Sequence, residues 1–256
     1  MADICRREGR HLRAAFGFLT RLPVAGKEIG EADLSGSVLW FPLAGLAIGL
    51  GQGAVGWGAA FFFPPLVVAV LIWATGLMLS GGLHLDGLMD TADGLASGGR
   101  AEEILAVMRD SRVGAYGVTA ALTVVLLQIA ALLGLLGLGP WRLGGVLAAV
   151  GALSRGAMAA ALVVYPYCRT AGLGRPFAGA GWRQLLGAAA LAVGVSGLVL
   201  GWPGLVLAAL AVGILLVFGY LTVRGLGGLT GDTYGALAEL EVTLLLLSAL
   251  ILLGTK

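Results

Sequence analysis

Seven long apolar runs constrain this chain more than any other feature, because each is long enough, or nearly so, to cross a bilayer as a helix. About 20 helical residues span the roughly 30 Å of bilayer hydrocarbon. The runs are continuous rather than alternating in polarity, which excludes a membrane β-barrel. The sequence therefore predicts an all-α, polytopic integral membrane bundle with about seven spans: Val38–Ala60, Leu66–Leu83, Tyr116–Leu138, Leu143–Val164, Leu185–Leu200, Gly204–Thr222 and Tyr234–Leu253.

Composition supports a membrane protein and excludes two other classes. Only 12% of the residues are charged and 59% are hydrophobic, whereas a water-soluble domain has about 25% charged residues. The 16 basic and 14 acidic residues nearly balance, which argues against a nucleic-acid partner bound through its phosphates. Of the 44 glycines, Gly45, Gly49 and Gly53 recur at every fourth position, a spacing that predicts close contact between two helices.

The N-terminal segment, residues 1–37, is predicted to be a cytoplasmic or interfacial arm of a single domain that covers residues 1–256. Leu12, Ala15, Phe16 and Leu19 follow helical spacing, with most arginines on other faces, as in a helix that lies in the membrane interface. A solvated cytosolic arm is the alternative. The apolar stretch Ala14–Leu19 is shorter than the hydrophobic region of a secretory signal peptide.

Charged residues cluster on one side of the predicted bundle. If the spans alternate in direction, segments 1–37, 84–115, 165–184 and 223–233 share one face, which holds 13 of the 16 basic and 12 of the 14 acidic residues. Basic residues concentrate on the cytoplasmic side of membrane proteins. The sequence therefore predicts a chemically active face toward the cytoplasm.

Three aspartates, Asp86, Asp90 and Asp93, open the acidic segment 84–115. On a helix they form one narrow stripe, and like charges at that spacing repel unless a cation lies among them. Carboxylate ligands suit Mg²⁺, so we predict a magnesium site, with a solvated acidic helix end as the alternative. His84 is a candidate general base, metal ligand or partner of an aspartate, and a purely structural imidazole is equally compatible.

Two further segments are candidates for phosphate binding. Arg109, Ser111 and Arg112 precede Gly114. The two arginines are three residues apart, so we expect them to act together on one helical turn, and guanidinium groups bind phosphate bidentately. Arginines in such places also anchor to lipid headgroups. Arg155 lies inside an apolar span, where an unpaired charge is costly; Glu239, Glu241 or a substrate phosphate is its expected partner.

The other segment is the glycine-rich turn 224–235. Gly228 and Asp232 belong to this turn, which precedes a helix and is expected to expose backbone amides to an anion. Asp232 is a further candidate contact for a metal ion or a hydroxyl group. Tight turning alone would also explain the glycines.

Four blocks of this sequence resemble the cobalamin synthase family, the adenosylcobinamide-GDP ribazoletransferases. They run in the family's order across nearly the whole chain, and the His-Leu-Asp-Gly-x-x-Asp-Thr-Ala-Asp-Gly block is highly specific; Met89 stands where the family more often has alanine. The blocks are residues 18–23, residues 82–95, residues 110–117, and residues 227–232 followed by Glu239 and Glu241.

The resemblance implies a Mg²⁺-dependent transferase in the bacterial cytoplasmic membrane. Its substrates would be adenosylcobinamide-GDP and α-ribazole or α-ribazole 5′-phosphate, and its products GMP and adenosylcobalamin or the 5′-phosphate of adenosylcobalamin. In that chemistry Asp86, Asp90 and Asp93 would hold the metal, and Arg109 and Arg112 the diphosphate. Whether the chain forms a homo-oligomer or associates with other corrinoid-assembly enzymes is left open.

Two other functions fit parts of the pattern. A CDP-alcohol phosphatidyltransferase also uses helical aspartates in a membrane, but its Asp-Gly-x-x-Ala-Arg motif is absent, because Asp86-Gly87 is followed by Leu88-Met89-Asp90. A non-enzymatic transporter would be expected to place its ionisable groups near the bilayer midplane and to show internal repeats. Here the carboxylates lie toward one face and no repeat is evident.

Overall fold

The computed structural model describes residues 2–24, 29–170, 172, 174–177 and 179–254, so residues 1 and 25–28 of the predicted arm lie outside it. All regular elements in these ranges are helical, apart from a single parallel bridge between Tyr167 and Leu229. Three short 3₁₀ turns cover Val38–Trp40, Leu136–Leu138 and Arg175–Phe177. The helices are α1 (Ala2–Leu19), α2 (Glu31–Ser37), α3 (Phe41–Ala59), α4 (Pro65–Ser80), α5 (Leu83–Ala96), α6 (Ala101–Val107), α7 (Ala115–Leu135), α8 (Pro140–Val164), α9 (Trp182–Leu200), α10 (Trp202–Leu226) and α11 (Gly231–Leu253).

The predicted membrane bundle is confirmed. Six helical segments are long and apolar enough to cross a membrane, and α4 together with α5 brings the number to seven if this bent pair counts as one. The predicted fifth span was short because it began at Leu185; the helix begins three residues earlier, at Trp182.

A sharp bend separates α4 from α5. The two helices meet at 90°, and the turn consists of Gly81 and Gly82, with φ of 72° and 74°. Only glycine adopts this left-handed conformation without strain. As a result α5 turns away from α4 and lies across the end of the bundle, outside the six segments that qualify as spans by themselves.

Helix α8 is the centre of the bundle and is mostly buried. The predicted glycine ridge of α3 packs directly on it: a Cβ added to Gly53 would lie 3.0 Å from Gly144 Cα, and one added to Gly49 would lie 2.5 Å from the Leu147 carbonyl carbon. Close backbone approach of this kind stabilises helix pairs where no water is present to drive association.

The N-terminal helix forms as predicted, but its apolar face packs against protein. Ala15 and Leu19 are fully buried and share a core cluster with Phe41 and Leu237. A further link comes from the Trp40 indole, whose Nε1 donates to Glu8 Oε2 at 3.2 Å. Helix α1 is therefore docked on the end of the bundle.

Candidate active site

Helix α5 crosses the N-terminal ends of α7 and α11 and brings the acidic residues to them. The crossing with α11 is close, because a Cβ on Gly87 would lie 2.6 Å from the Asp232 carbonyl oxygen. Helix α11 begins in a capping box, in which Thr233 N donates to Thr230 Oγ1 at 3.2 Å and Thr230 N donates to Thr233 Oγ1 at 2.8 Å. Asp232 is thereby fixed next to α5.

Asp86, Asp90 and Asp232 form what we call the acidic cluster. Burial, together with the like charges of Asp86 and Asp232, raises the pKa of Asp90 to about 6. A nearby cation would stabilise the ionised form of a carboxyl group whose pKa is raised in this way. The predicted proximity of Asp86 and Asp90 is confirmed, and Asp232, which lies more than 140 residues further along the chain, joins them.

Asp93 makes contacts that the helical spacing alone did not predict. Its carboxylate turns to the start of α7, where Oδ2 accepts from Gly114 N at 2.7 Å and Oδ1 accepts from Gly117 N at 2.8 Å. The amide groups at a helix N-terminus have no partner within the helix and attract a negative charge. Asp93 therefore ties α5 to α7, and both of its oxygens are already engaged.

The donor chemistry of the acidic cluster suits magnesium, but a three-carboxylate site is not preformed. Within the described ranges, no three His, Cys, Asp or Glu side chains are placed to hold an ion by themselves. Mg²⁺ commonly takes only one or two protein carboxylates and completes its octahedron with waters and substrate phosphates. Asp86 and Asp90, with Asp232 beside them, fit that pattern.

Arg169 is the functional candidate that sequence reasoning missed. Its Nη1 lies 2.8 Å from Asp232 Oδ2, while Nε and Nη2 are buried and have no hydrogen-bond partner among the described residues. Buried donors of this kind normally have an acceptor. The bridge that placed Arg169 here could not be read from the sequence: Leu229 N donates to Pro166 O at 2.8 Å, and Cys168 N donates to Leu229 O at 2.9 Å.

His84 and Arg155 form a buried pair behind the acidic cluster. Arg155 Nη2 lies 3.1 Å from His84 Nδ1, and Arg155 Nη1 donates to Ser154 Oγ at 3.2 Å. A guanidinium group can only donate, so Nδ1 is the acceptor and the ring proton lies on Nε2. This geometry favours a hydrogen-bond donor at Nε2 over the general base that the sequence suggested.

Neither predicted carboxylate of Arg155 contacts it directly, although the charges of Arg155 and Glu239 act on each other. Glu239 Oε2 accepts from Gln128 Nε2 at 3.0 Å instead, and both oxygens of the buried Glu241 have no partner among the described residues. Arg155 is only 5% exposed, and its Nε has no hydrogen-bond partner among the described residues. Arg155 and Glu239 line the same cavity.

Arg109, Ser111 and Arg112 lie in the connection between α6 and α7, not on one helical turn. Helix α6 ends at Val107, and the chain then turns at Met108 and Arg109. Arg112 pairs with its neighbour Asp110, Nε to Oδ1 at 3.0 Å, and its side chain is 87% exposed. This pair lowers the pKa of Asp110 to about 2. The predicted joint action of the two arginines is therefore not preformed.

Gly228 lies where two segments of the chain pack closely. A Cβ at this position would lie 2.6 Å from Pro166 O and 2.9 Å from Cys168 Cβ. The glycine thus permits the close approach that carries Arg169 to Asp232. Of the predicted turn 224–235, Asp232 lies beside Asp86 and Asp90, and Gly228 lies at the close approach behind Arg169.

Comparison with known proteins identifies relatives over nearly the whole chain. The family described as Cobalamin-5-phosphate synthase matches residues 11–251. Proteins named adenosylcobinamide-GDP ribazoletransferase are similar to the chain: one from Desulfitobacterium hafniense is 39% identical over 95% of this chain and 98% of its own length. One from Desulforamulus reducens is 41% identical over 96% and 97%, and one from Roseiflexus is 42% identical over 88% and 84%.

No solved structure gives a significant match. The family match spans all the helices that build the site, from α3 to α11, and includes Asp86, Asp90, Arg169 and Asp232. The resemblance that the sequence motifs suggested is thereby confirmed. This chain belongs to the cobalamin-5-phosphate synthase family of enzymes.

Proposed function

We propose that this enzyme joins adenosylcobinamide-GDP to α-ribazole or its 5′-phosphate with release of GMP, and that it requires Mg²⁺. The observation that carries the proposal is the acidic cluster with Arg169 beside it. Carboxylates that attract a cation lie next to a buried guanidinium with free donors, which is the combination that a metal-bound diphosphate needs. The names of the relatives supply the class of substrate.

In the proposed reaction, a ribose hydroxyl attacks the phosphorus attached to the cobinamide arm. A new oxygen–phosphorus bond forms, the bond from that phosphorus to the bridging oxygen breaks, and GMP leaves with that oxygen. The proton of the attacking hydroxyl passes to a carboxylate of the acidic cluster. When bound, Mg²⁺ would neutralise charge on the diphosphate; Asp86 and Asp90 would hold it, with Asp232 at hand.

Arg169 would bind phosphoryl oxygens through Nε and Nη2 while Nη1 keeps its contact with Asp232. A guanidinium presents its N–H groups in a fixed fork that matches two phosphate oxygens. Arg109 contributes positive charge nearby, since it is among the charges that act on Cys168, the neighbour of Arg169. Arg112, exposed and paired with Asp110, would contribute less.

We propose that the end of the bundle that carries the acidic cluster faces the cytoplasm of a bacterial cell. The acidic cluster, Arg169 and the connection 108–114 all lie at the end of the bundle from which α7 and α11 begin. The basic residues of the chain concentrate in the same connections, and such an excess is typical of the cytoplasmic side. The enzyme would then bind its nucleotide-activated substrate from the cytoplasm.

The direct test is an assay of the purified enzyme in proteoliposomes. With adenosylcobinamide-GDP, α-ribazole and Mg²⁺, GMP and the joined corrinoid should appear in equal amounts, and chelation of the metal should stop both. GMP release without the joined corrinoid would indicate hydrolysis and contradict the proposal. A transporter would give neither product but would move a solute across the membrane.

A further inference from the structure

We propose that a cavity next to the acidic cluster binds the heteroaromatic base of the acceptor riboside, and that His84 donates a hydrogen bond to a ring nitrogen of that base. The inference rests on the proposed function, because it assigns one substrate of that reaction to a place. It adds the location of the base and a residue that discriminates among bases.

The cavity lies between α5, α8 and α11 and opens beside Asp86 and Asp232. It has a volume of about 80 Å³, several times the roughly 10–15 Å³ that a single water molecule needs. Its walls are chiefly aromatic and apolar, which suits a flat ring: the side chains include Phe18, Met158, Leu162, Phe177 and Tyr234. Phe18 and Phe177 pack on each other with ring centroids 4.7 Å apart.

His84 gives this largely apolar cavity a free and buried hydrogen-bond donor. The imidazole lines the cavity, is 2% exposed, and its Nε2 has no partner among the described residues. Because Arg155 donates to Nδ1, Nε2 carries the proton and can only donate. A buried donor without an acceptor is unfavourable, so a ligand with an acceptor nitrogen completes the site.

The chemistry of the walls favours the riboside base over guanine. A benzimidazole ring in a riboside has one free ring nitrogen, which accepts one hydrogen bond, and otherwise an apolar surface. Guanine would bury several donors and acceptors, each needing a partner, whereas the side chains of the described walls offer only His84 Nε2, the Tyr234 hydroxyl and the two carboxylates. Those carboxylates, Asp86 and Asp232, are also the side chains at which the riboside hydroxyl must meet the diphosphate.

The test compares two acceptors that differ in one atom. In the α-riboside of benzimidazole the free ring nitrogen accepts a hydrogen bond; in the α-riboside of indole a C–H group replaces it. Both compete in one reaction with adenosylcobinamide-GDP, and the two joined corrinoids are quantified. The product ratio does not depend on how much of a variant folds, because both acceptors meet the same enzyme molecules.

For the natural enzyme we expect a preference for the benzimidazole riboside of at least about 10-fold, the effect of leaving one buried donor unpaired. His84→Met removes the donor and should bring the ratio close to one. His84→Gln retains an amide donor near the Nε2 position and should keep part of the preference.

Several results would overturn the inference. A product ratio near one for the natural enzyme, or an unchanged product ratio in His84→Met, would show that His84 does not discriminate between the two bases. A rise in KM for adenosylcobinamide-GDP in His84→Met, with an unchanged KM for the riboside, would assign the cavity to guanine. If the natural enzyme joins α-ribazole but neither of these ribosides, this inference fails and the proposed function stands; if it does not join α-ribazole either, both fail.

Discussion

Replacing Asp93 with asparagine should reduce stability rather than metal binding. Asp93 accepts two short hydrogen bonds, from Gly114 N at 2.7 Å and Gly117 N at 2.8 Å. Hydrogen bonds to a charged group contribute about 1.5–3 kcal/mol each. Asparagine keeps one acceptor oxygen and loses the charge, so the substitution should cost roughly one such bond, about 1.5–3 kcal/mol.

The assay measures thermal unfolding and metal requirement on the same protein in lipid nanodiscs. For a chain of this size, about 1.5–3 kcal/mol corresponds to a fall in Tm of about 3–12 °C. The Mg²⁺ concentration that gives half-maximal transfer should change less than about threefold, since a carboxylate held by two amides is not the one that binds the ion.

Asp90→Asn is the matched control, because it is the same isosteric change three residues earlier on α5. Burial and like charges raise the pKa of Asp90 to about 6, so its ionised form destabilises the cation-free protein at neutral pH, and a neutral amide should leave Tm unchanged or higher. Transfer should fall about 100-fold or more. The opposite pattern, with Asp93→Asn raising the metal requirement at constant Tm, would refute this division of roles.

Three other predictions concern pH, packing and the arginines. Between pH 7.5 and 5 the Mg²⁺ requirement should rise about 10-fold, because a carboxyl group whose pKa is about 6 is only about one-tenth ionised at pH 5; a flat titration would contradict it. Gly87→Ala should abolish most transfer, since its Cβ would lie 2.6 Å from Asp232 O, whereas Gly213→Ala, with open space around it, should be neutral in the same assay. Arg169→Gln should lower kcat/KM about 100-fold and exposed Arg112→Ala less than about threefold; equal losses in the two would contradict the assignment.

Most of the fold could be predicted from the sequence because bilayer thickness sets helix length. The spans, the glycine ridge of α3 on α8 and the amphipathic character of α1 follow from local composition and spacing. The 90° bend at Gly81 and Gly82 was not predicted. A pair of glycines permits a left-handed turn but does not require one, and the direction of α5 depends on what it meets at α7 and α11.

The candidate site was only partly predictable for a related reason. Asp86 and Asp90 share a helix face, so spacing alone places them together. Asp93 lies on the same stripe, yet its neighbours are the amides of α7, which no local pattern reveals. Arg169 reaches the cluster through a bridge between residues that are more than 60 positions apart, and Arg155 meets His84 across two helices.

The most direct measurement is the rate at which Asp90→Asn joins adenosylcobinamide-GDP to α-ribazole in proteoliposomes at saturating Mg²⁺, compared with the natural enzyme at equal folded protein. If the acidic cluster is the site of transfer, the rate should fall about 100-fold or more, and Tm should not decrease. Transfer within a few-fold of the natural rate, with unchanged dependence on Mg²⁺, would contradict it.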